Sequence, residues 1–129
     1  MILVYVAGKF RGPTGWDVAC HIHEAELVGI EVAKRGQMPV IPHSMTGHFD
    51  GTCNDQFWLD GTMELLRACR AVALVHNWRD SQGAWAEVKE AMSIGLPIYQ
   101  FHPLTPADLE LGIQDGNLLG ADALETKGV

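Results

Sequence analysis

The 129-residue sequence has few basic residues, few cysteines and no long apolar run, and each shortage excludes a class of protein. Nine lysines and arginines against sixteen aspartates and glutamates leave a net charge of −7, which argues against a surface that binds a nucleic acid polymer. Cys20, Cys53 and Cys69 form no Cys-x-x-Cys pair, so we expect free thiols in a reducing compartment. The apolar runs at 2–7 and 71–75 are far shorter than the roughly 20 residues that cross a bilayer, so no membrane partner is expected.

The remaining composition is that of a globular domain. Apolar residues make up 47% of the chain, which is enough for a sizeable core, and no charged or low-complexity block predicts disorder. Met1 leads directly into an apolar strand pattern, without the basic segment that opens a signal peptide. We therefore expect a single domain over residues 1–129, located in the cytoplasm.

Strand patterns and helix patterns alternate along the chain. Strands are predicted at 2–7, 38–41, 71–76 and 97–101. Helices are predicted at 16–35, 56–69, 82–94 and 106–113, the last two capped by Ser81 and Thr105. Such alternation is typical of a parallel sheet with helices on both faces. We predict a doubly wound α/β fold, flavodoxin-like or Rossmann-like, with four or five strands in an order near 2-1-3-4.

The predicted fold indicates where a ligand would bind. In doubly wound sheets, ligands lie beyond the carboxyl ends of the strands, at the point where the strand order reverses. Three segments follow predicted strands there, namely 8–15, 43–55 and 77–87. The second has no periodicity and is long enough to be a functional loop. The last fifteen residues are weakly patterned, and we expect them to form a mobile tail or a subunit contact.

The segment after the first strand, Gly8-Lys9-Phe10-Arg11-Gly12, combines glycines with an arginine. Glycine lets a backbone approach a ligand closely, and an arginine can donate two charge-assisted hydrogen bonds to a phosphate. An ordinary strand-to-helix turn with an exposed Arg11 explains the same residues equally well. The segment has neither a Gly-x-Gly-x-x-Gly fingerprint nor a Walker lysine, so no dinucleotide or nucleoside triphosphate cofactor is expected.

The segment after the third strand places Ser81, Gly83 and Glu87 near the start of a helix. Helix N-termini bind anions through free N–H groups. The same helix end would favour the ionised form of Glu87, as a nucleophilic carboxylate requires. The alternative is that Ser81 only caps the helix and that Glu87 is a solvated helical residue, and local sequence by itself favours that alternative.

Two blocks of the chain resemble the nucleoside 2-deoxyribosyltransferase superfamily. The first block is Tyr5-Val6-Ala7-Gly8-Lys9-Phe10-Arg11-Gly12. The second runs from Leu65 to Glu87 and includes Trp78, Ser81, Gly83 and Ala84. It is most similar to a branch described only as a domain of unknown function, whose pattern is Gly-Trp-x-x-Ser-x-Gly-Ala-x-x-Glu, although Asn77 replaces the first glycine here. The resemblance covers roughly residues 2–101.

The resemblance implies a reaction and a nucleophile. The superfamily includes 2-deoxyribosyltransferases and 2′-deoxynucleoside 5′-monophosphate N-glycosidases, in which a glutamate at the position of Glu87 attacks C1′ of the sugar. In the glycosidases a serine six residues earlier binds the 5′-phosphate, and Ser81 occupies that place. Arg11 and Gly83 match the same phosphate site. The implied function is an N-glycosidase for a (deoxy)nucleoside 5′-monophosphate, without a cofactor, assembled as a homodimer or larger homo-oligomer.

The chain departs from the superfamily pattern at several positions. Lys9 stands where many relatives have proline, and Thr62 and Arg70 stand where many have aspartate. Thr62 can hydrogen-bond a sugar hydroxyl but carries no charge, and Asp60, two residues earlier, faces another side of the helix. These departures leave open an altered substrate, a weak activity or nucleotide binding without catalysis. Base exchange between nucleosides on the same nucleophile is a further alternative.

The six histidines raise the question of a metal site. His21 and His23 are two residues apart on a helix and cannot chelate one ion together. His43, His48 and Asp50 share a predicted loop and could in principle bind zinc, but scattered loop histidines are common and no metal is predicted. Because His43 follows the second strand directly, we expect it to contact the base or the sugar.

Aromatic residues flank the candidate site. Trp78 and Trp85 could stack on a nucleobase, although packing in the core is the alternative. The residues expected to bind substrate, with Glu87 as the nucleophile, are Tyr5, Gly8, Lys9, Arg11, His43, Asp60, Thr62, Trp78, Ser81 and Gly83.

Overall fold

The computed structural model describes residues 1–49 and 51–118, which form a parallel sheet flanked by helices. Its strands are β1 (Leu3–Ala7), β2 (Met38–Val40), β3 (Ala71–Leu74), β4 (Ile98–Gln100) and β5 (Gln114–Asp115). Its helices are α1 (Gly15–Lys34), α2 (Pro42–Met45), α3 (Asp55–Ala68), α4 (Gln82–Ser93) and α5 (Pro106–Glu110). Short 3₁₀ turns lie at Gly47–Phe49, Trp78–Asp80 and Gly116–Leu118.

The sheet has the predicted topology. Its five strands are all parallel and lie in the order β2-β1-β3-β4-β5, so the doubly wound α/β fold with an order near 2-1-3-4 is confirmed. Tyr5 of β1 lies opposite Val40 of β2 and Val72 of β3. The strand order reverses between β1 and β3, so the carboxyl ends of these two strands form the crevice where ligands bind in such sheets.

Alternate residues of the central strands pack into different helical layers. Tyr5 and Leu74 belong to the cluster that includes Leu66 of α3 and Val88 of α4. Val4 instead packs in a second cluster on the opposite face of the sheet, against α1. Because both faces are covered, these strands read as continuous apolar runs in the sequence. The alternation also directs the Tyr5 side chain toward α3 and α4.

The helix that carries Glu87 is fixed at both ends. The Ser81 hydroxyl caps its start by accepting a hydrogen bond from the Ala84 N–H at 3.1 Å, as the sequence predicts. Gly95 follows its last turn with a φ of 78°, a conformation that glycine adopts without steric cost. Local signals therefore fix where α4 begins and ends, and with them the position of Glu87 within the helix.

Three segments differ from the sequence-based expectation. The stretch 43–55 is not a simple loop, because Pro42 opens the short helix α2 and a 3₁₀ turn follows it. Helix α5 ends earlier than predicted, since Gly112 takes a φ of 80° and turns the chain into β5. That fifth strand includes the first of the last fifteen residues. Residues 119–129, on which most of the expectation of a mobile tail or a subunit contact falls, lie outside the described residues.

Two further expectations concern the chain as a whole. Within residues 1–49 and 51–118, no helix is long and apolar enough to cross a membrane. The single domain over residues 1–129 stays a prediction, because the last eleven residues are not among those described.

Candidate active site

A cavity of about 540 Å³ opens at the carboxyl ends of β1 and β3, a volume within the range of small-molecule sites. It is bounded by the loop after β1, by α2, by one face of α3 and by the turn into α4. The three segments predicted to contact a ligand therefore meet around one cavity. The lining residues are Tyr5, Gly8, Lys9, Phe10, Arg11, Pro42, His43, Thr46, Asp55, Trp58, Leu59, Thr62, Asp80, Ser81, Gln82, Gly83, Ala84 and Glu87.

Glu87 is a buried carboxylate in the cavity wall, with only 9% of its surface exposed. The hydroxyl of Tyr5, itself buried on β1, donates a hydrogen bond to Oε2 of Glu87. Burial raises the pKa of Glu87 from its ordinary 4.5 to about 7, and the hydrogen bond from Tyr5 opposes that rise. Burial and the neighbouring Glu87 charge raise the pKa of Tyr5 well above its ordinary value, so the phenol remains a donor.

The helix N-terminus does not govern the ionisation of Glu87, and this corrects the sequence-based expectation. Glu87 is the sixth residue of α4, whereas the stabilising field of a helix end falls off within the first turn. Loss of hydration acts on the carboxylate itself and favours its neutral form. The proton equilibrium of Glu87 therefore depends on burial and on Tyr5.

One face of α3 runs along the cavity. Asp55, Trp58, Leu59 and Thr62 are spaced at i, i+3, i+4 and i+7, which places them on one side of the helix. The Thr62 hydroxyl donates to the Leu59 carbonyl oxygen at 3.1 Å, and Thr62 is close enough to Tyr5 to lower its pKa against the effect of burial. This end of the stripe therefore lies near the buried carboxylate. Asp55 begins the helix about 10 Å away along its axis. Asp55, Trp58 and Leu59 were not predicted as site residues from the sequence, although their helical spacing from Thr62 is the signal that identifies them.

Trp58 is the largest side chain on that face of α3. It is half-buried, and its ring packs edge-on against Phe57 at 5.0 Å and lies 6.4 Å from Phe49. These neighbours restrict the orientation of the indole. An aromatic ring held in a cavity wall offers a stacking surface to a planar ligand.

The turn into α4 supplies hydrogen-bond donors to the cavity. The Ser81 oxygen accepts the Ala84 N–H, and its hydroxyl proton remains available to a ligand. The first N–H groups of a helix have no intrahelical partner. A Cβ on Gly83 would lie 3.8 Å from Ser81 Oγ and 3.9 Å from Leu59 Cδ2, which are ordinary contacts. The protein's own packing therefore does not require glycine at this position.

Two cationic side chains line the cavity, Lys9 and Arg11. The guanidinium of Arg11 forms an ion pair with Asp55 at 2.5 Å, and both side chains are largely exposed. Asp80, next to Ser81, adds a second acidic residue to the lining. The arginine expected to bind phosphate is thus already paired with a carboxylate.

The loop after β1 is held close to its neighbours. A Cβ on Gly8 would lie 2.6 Å from the Val75 side chain, so only glycine fits there. The N–H of Lys9 donates to Asn77 Oδ1 at 2.9 Å. His43 Nε2 lies 3.1 Å from the carbonyl oxygens of both Gly8 and Lys9, and it therefore carries the proton and donates.

His43 lines the cavity as a neutral ring. Burial lowers its pKa, against the opposing effect of the two carbonyl oxygens. Its Nδ1 is then an acceptor, and it is buried without a partner among the described residues. Nε2 of His43 thus holds the loop after β1 in place.

Two residues expected to bind substrate do not line the cavity. Trp78 is only 1% exposed and packs in the core against Trp85, whose ring centre lies 4.5 Å away. Asp60 is exposed on another face of α3, where it accepts a hydrogen bond from Gln56. Because Asp60 and Thr62 are two residues apart on a helix, they project in different directions. Both expectations are therefore corrected.

The histidines are dispersed among other contacts. His21 Nδ1 lies 3.0 Å from the Phe10 carbonyl oxygen, and His43 bonds the loop after β1. In the described part of the chain, no three His, Cys, Asp or Glu side chains are grouped as metal ligands would be. Asp50, one of the residues considered for zinc, falls outside that part.

The fold and the cavity define a class of protein. It is a doubly wound α/β domain with a buried carboxylate at the crevice where the strand order reverses. Residues 2–100 match the family described as Domain of unknown function (DUF4406), and the chain belongs to that family.

A solved structure shares the same fold. The 2-deoxyribosyltransferase of the psychrotolerant bacterium Bacillus psychrosaccharolyticus superposes with a TM-score of 0.60, at 15% sequence identity and over 95% of each chain. At this identity the similarity shows the fold. The expected similarity to a family described only as a domain of unknown function is thereby confirmed, and the shared fold is the one expected for a relative of the deoxyribosyltransferases. Among curated proteins, none matches this chain in sequence.

Proposed function

We propose that the protein is an N-glycosidase that cleaves the base–sugar bond of a (deoxy)nucleoside 5′-monophosphate. The observation that carries the proposal is the buried carboxylate of Glu87 in the cavity wall, hydrogen-bonded by Tyr5. A carboxylate in such a place can attack the anomeric carbon of a bound sugar. Without a cavity beside it, Glu87 would be an ordinary core residue.

The reaction has two displacement steps. In the first, a Glu87 oxygen forms a bond to C1′, the C1′–N bond breaks, and the base leaves with the bonding electron pair and takes up a proton. In the second, water attacks C1′ and loses a proton to solvent, which balances the proton taken up by the base. The ester to Glu87 breaks and restores the carboxylate, and a free sugar 5-phosphate is released. The ionised form of Glu87 is the nucleophile, and the Tyr5 hydrogen bond stabilises that form.

The phosphate would bind at the turn into α4. Ser81 contributes a hydroxyl, Gly83 leaves its backbone open to the ligand, and the helix end favours an anion. Arg11 and Lys9 provide positive charge on the loop after β1. The family resemblance of Ser81, Gly83 and Arg11 to a phosphate site supports the same assignment.

The base and the sugar would occupy the remaining wall. We assign the base to the surface formed by Trp58 and His43, because a ring that lines a cavity favours a planar heteroaromatic ligand. Thr62 lies next to Tyr5 and would hydrogen-bond a sugar hydroxyl. Its neutral side chain replaces the aspartate of many relatives, so we expect slower turnover than an acidic residue would give.

Base exchange is a second candidate function. The protein with the shared fold is named a 2-deoxyribosyltransferase and is described as a biocatalyst for nucleoside synthesis. Exchange would use the same Glu87 intermediate, with a second base in place of water.

Nucleotide binding without chemistry is the third candidate function, motivated by Thr62 and Arg70. By the same resemblance, we propose a homodimer or larger homo-oligomer, which sedimentation velocity would measure. We keep the cytoplasmic location as a proposal.

The proposal is tested with a panel of nucleoside monophosphates and nucleosides, followed by chromatography of released base. Wild-type protein should release base, and Glu87→Gln should reduce release by at least 10³-fold, a typical cost of losing a nucleophile. Glu90→Gln is the matched control, since Glu90 lies one turn further along α4 and pairs with Arg67 outside the cavity. Acid quenching and mass spectrometry should detect a sugar phosphate on the peptide that contains Glu87.

Two results separate the candidate functions, and a third tests the nucleophile. Acceleration of base loss by a second free base would select exchange over hydrolysis. Tight nucleotide binding with no release across the panel would select the binding protein. Release by Glu87→Gln at the wild-type rate would refute the nucleophile.

A further inference from the structure

Two oppositely charged residues from distant parts of the chain meet at the solvent-exposed side of the cavity. Arg11 lies in the loop after β1, and Asp55 is the first residue of α3, 44 positions later. Their side chains are 64% and 76% exposed, and an Arg11 Nη2–H donates to Asp55 Oδ1 at 2.5 Å. Both residues line the cavity. The pair is therefore part of the site and not a remote surface contact.

The carboxylate competes with any anion that would bind the same arginine. A guanidinium binds carboxylates and phosphates through the same fork of N–H donors. A phosphate on Arg11 would have to displace Asp55 or share the fork with it. In either arrangement Arg11 gives up part of its pairing with Asp55, which costs free energy. Asp80, in the turn before α4, adds to the negative charge of the lining.

We propose that Asp55 is a specificity-determining residue that weakens the binding of phosphorylated substrates by pairing with Arg11. This inference rests on the proposed function of the same site and adds the residue that sets its preference between nucleotides and nucleosides. Asp55 does not reach the reacting atoms, because it lies two helical turns from Thr62 on α3. Its effect falls on substrate binding and not on the bond-breaking step.

The expected size of the effect is moderate. Exposed ion pairs are weak, so Asp55 lowers the affinity for a phosphate without abolishing it. Freeing Arg11 from an exposed ion pair of this kind should strengthen the binding of a phosphate about fivefold at low salt. The gain should shrink as ionic strength rises, because exposed charges are screened.

Ribose 5-phosphate is a suitable probe, because it carries the phosphate and the sugar but no base. Calorimetric titration at low salt should show that Asp55→Asn binds it about fivefold more tightly than the wild type. Asp60→Asn is the matched control on the same helix, outside the cavity, and should bind like the wild type. In an Arg11→Gln background, Asp55→Asn should change the affinity less than twofold.

Turnover gives an independent reading of the same inference. The ratio of kcat/KM for a nucleotide to that for its nucleoside should rise about fivefold in Asp55→Asn, through KM and with kcat unchanged. Both kcat/KM values are measured on the same preparation of a variant, so any loss of folded protein lowers both equally and cancels in their ratio.

Several outcomes would overturn the role of Asp55. These are equal affinities for wild type and Asp55→Asn, an equal gain in Asp60→Asn, a gain that persists without Arg11, or no binding of ribose 5-phosphate to any variant. If wild-type protein releases no base from any substrate, the proposed N-glycosidase fails, and the calorimetric comparison still decides the competition at Arg11.

Discussion

Replacing Glu87 by glutamine should stabilise the protein at alkaline pH, although it removes the proposed nucleophile. Burial raises the pKa of Glu87 from 4.5 to about 7, which means that the folded protein disfavours the ionised side chain. At 1.36 kcal/mol for each pH unit, the difference amounts to about 3 kcal/mol. Glutamine keeps an oxygen that can accept the Tyr5 hydrogen bond and has no charge to bury.

The sign of the effect follows from proton binding. Between pH 4.5 and 7, the folded protein binds the Glu87 proton more tightly than the unfolded chain does, so wild-type stability falls as pH rises through this window. Above pH 7 the full cost is present, and below pH 4.5 it vanishes. The advantage of Glu87→Gln should therefore grow from near zero at pH 4 to about 3 kcal/mol at pH 8.

Urea unfolding of both proteins at closely spaced pH values measures this difference. Glu90→Gln is the control, because the Arg67 hydrogen bond lowers the pKa of Glu90 and its removal should destabilise the protein near neutral pH. A constant difference between Glu87→Gln and wild type across the pH range would refute the reasoning. Lower stability of Glu87→Gln at pH 8 would refute it as well.

Three further predictions concern the cavity and its support. The acid limb of the pH–rate profile should lie near pH 7, and Tyr5→Phe should move it to higher pH, because the lost hydrogen bond stabilises ionised Glu87. Trp58→Ala should raise KM for nucleotides about tenfold with a smaller change in kcat, because a stacking surface is lost. Gly8→Ala should lower the free energy of unfolding by about 1–3 kcal/mol in urea titrations, since its Cβ would lie 2.6 Å from a packed side chain.

Matched variants control for these effects. Trp16→Ala removes an indole that is 77% exposed outside the cavity, and it should leave KM unchanged. Gly61→Ala places a Cβ in open space within α3 and should stabilise the helix by about 0.5–1 kcal/mol. An unshifted pH profile in Tyr5→Phe, equal KM increases in both tryptophan variants, or a neutral Gly8→Ala would each contradict the corresponding prediction.

Part of the candidate site could be predicted from the sequence, because its motif residues are close together along the chain. Ser81, Gly83 and Glu87 lie on one helix start, and their order along the chain fixes their approximate placement. Trp78 belongs to the same motif, yet it packs in the core, because the 3₁₀ turn before α4 directs it inward. Trp58 lies outside the motif, and it reaches the cavity through the orientation of α3 against the sheet.

Local sequence is enough to predict the strand and helix alternation, the cap of Ser81 and the parallel sheet. These features depend on periodicity and on hydrogen bonds between residues a few positions apart. Each segment therefore carries in its own residues the information that predicts its structure. The order of the strands also follows from this alternation, because right-handed crossovers allow few topologies.

The electrostatics of the site depend instead on contacts between distant segments of the chain. Tyr5 and Glu87 are 82 positions apart, and Arg11 and Asp55 are 44 positions apart, so no local pattern brings either pair together. The pKa of Glu87 depends on how completely neighbouring elements exclude water from it. That exclusion is a property of packing between distant segments, and packing is fixed only when the sheet and its helices assemble.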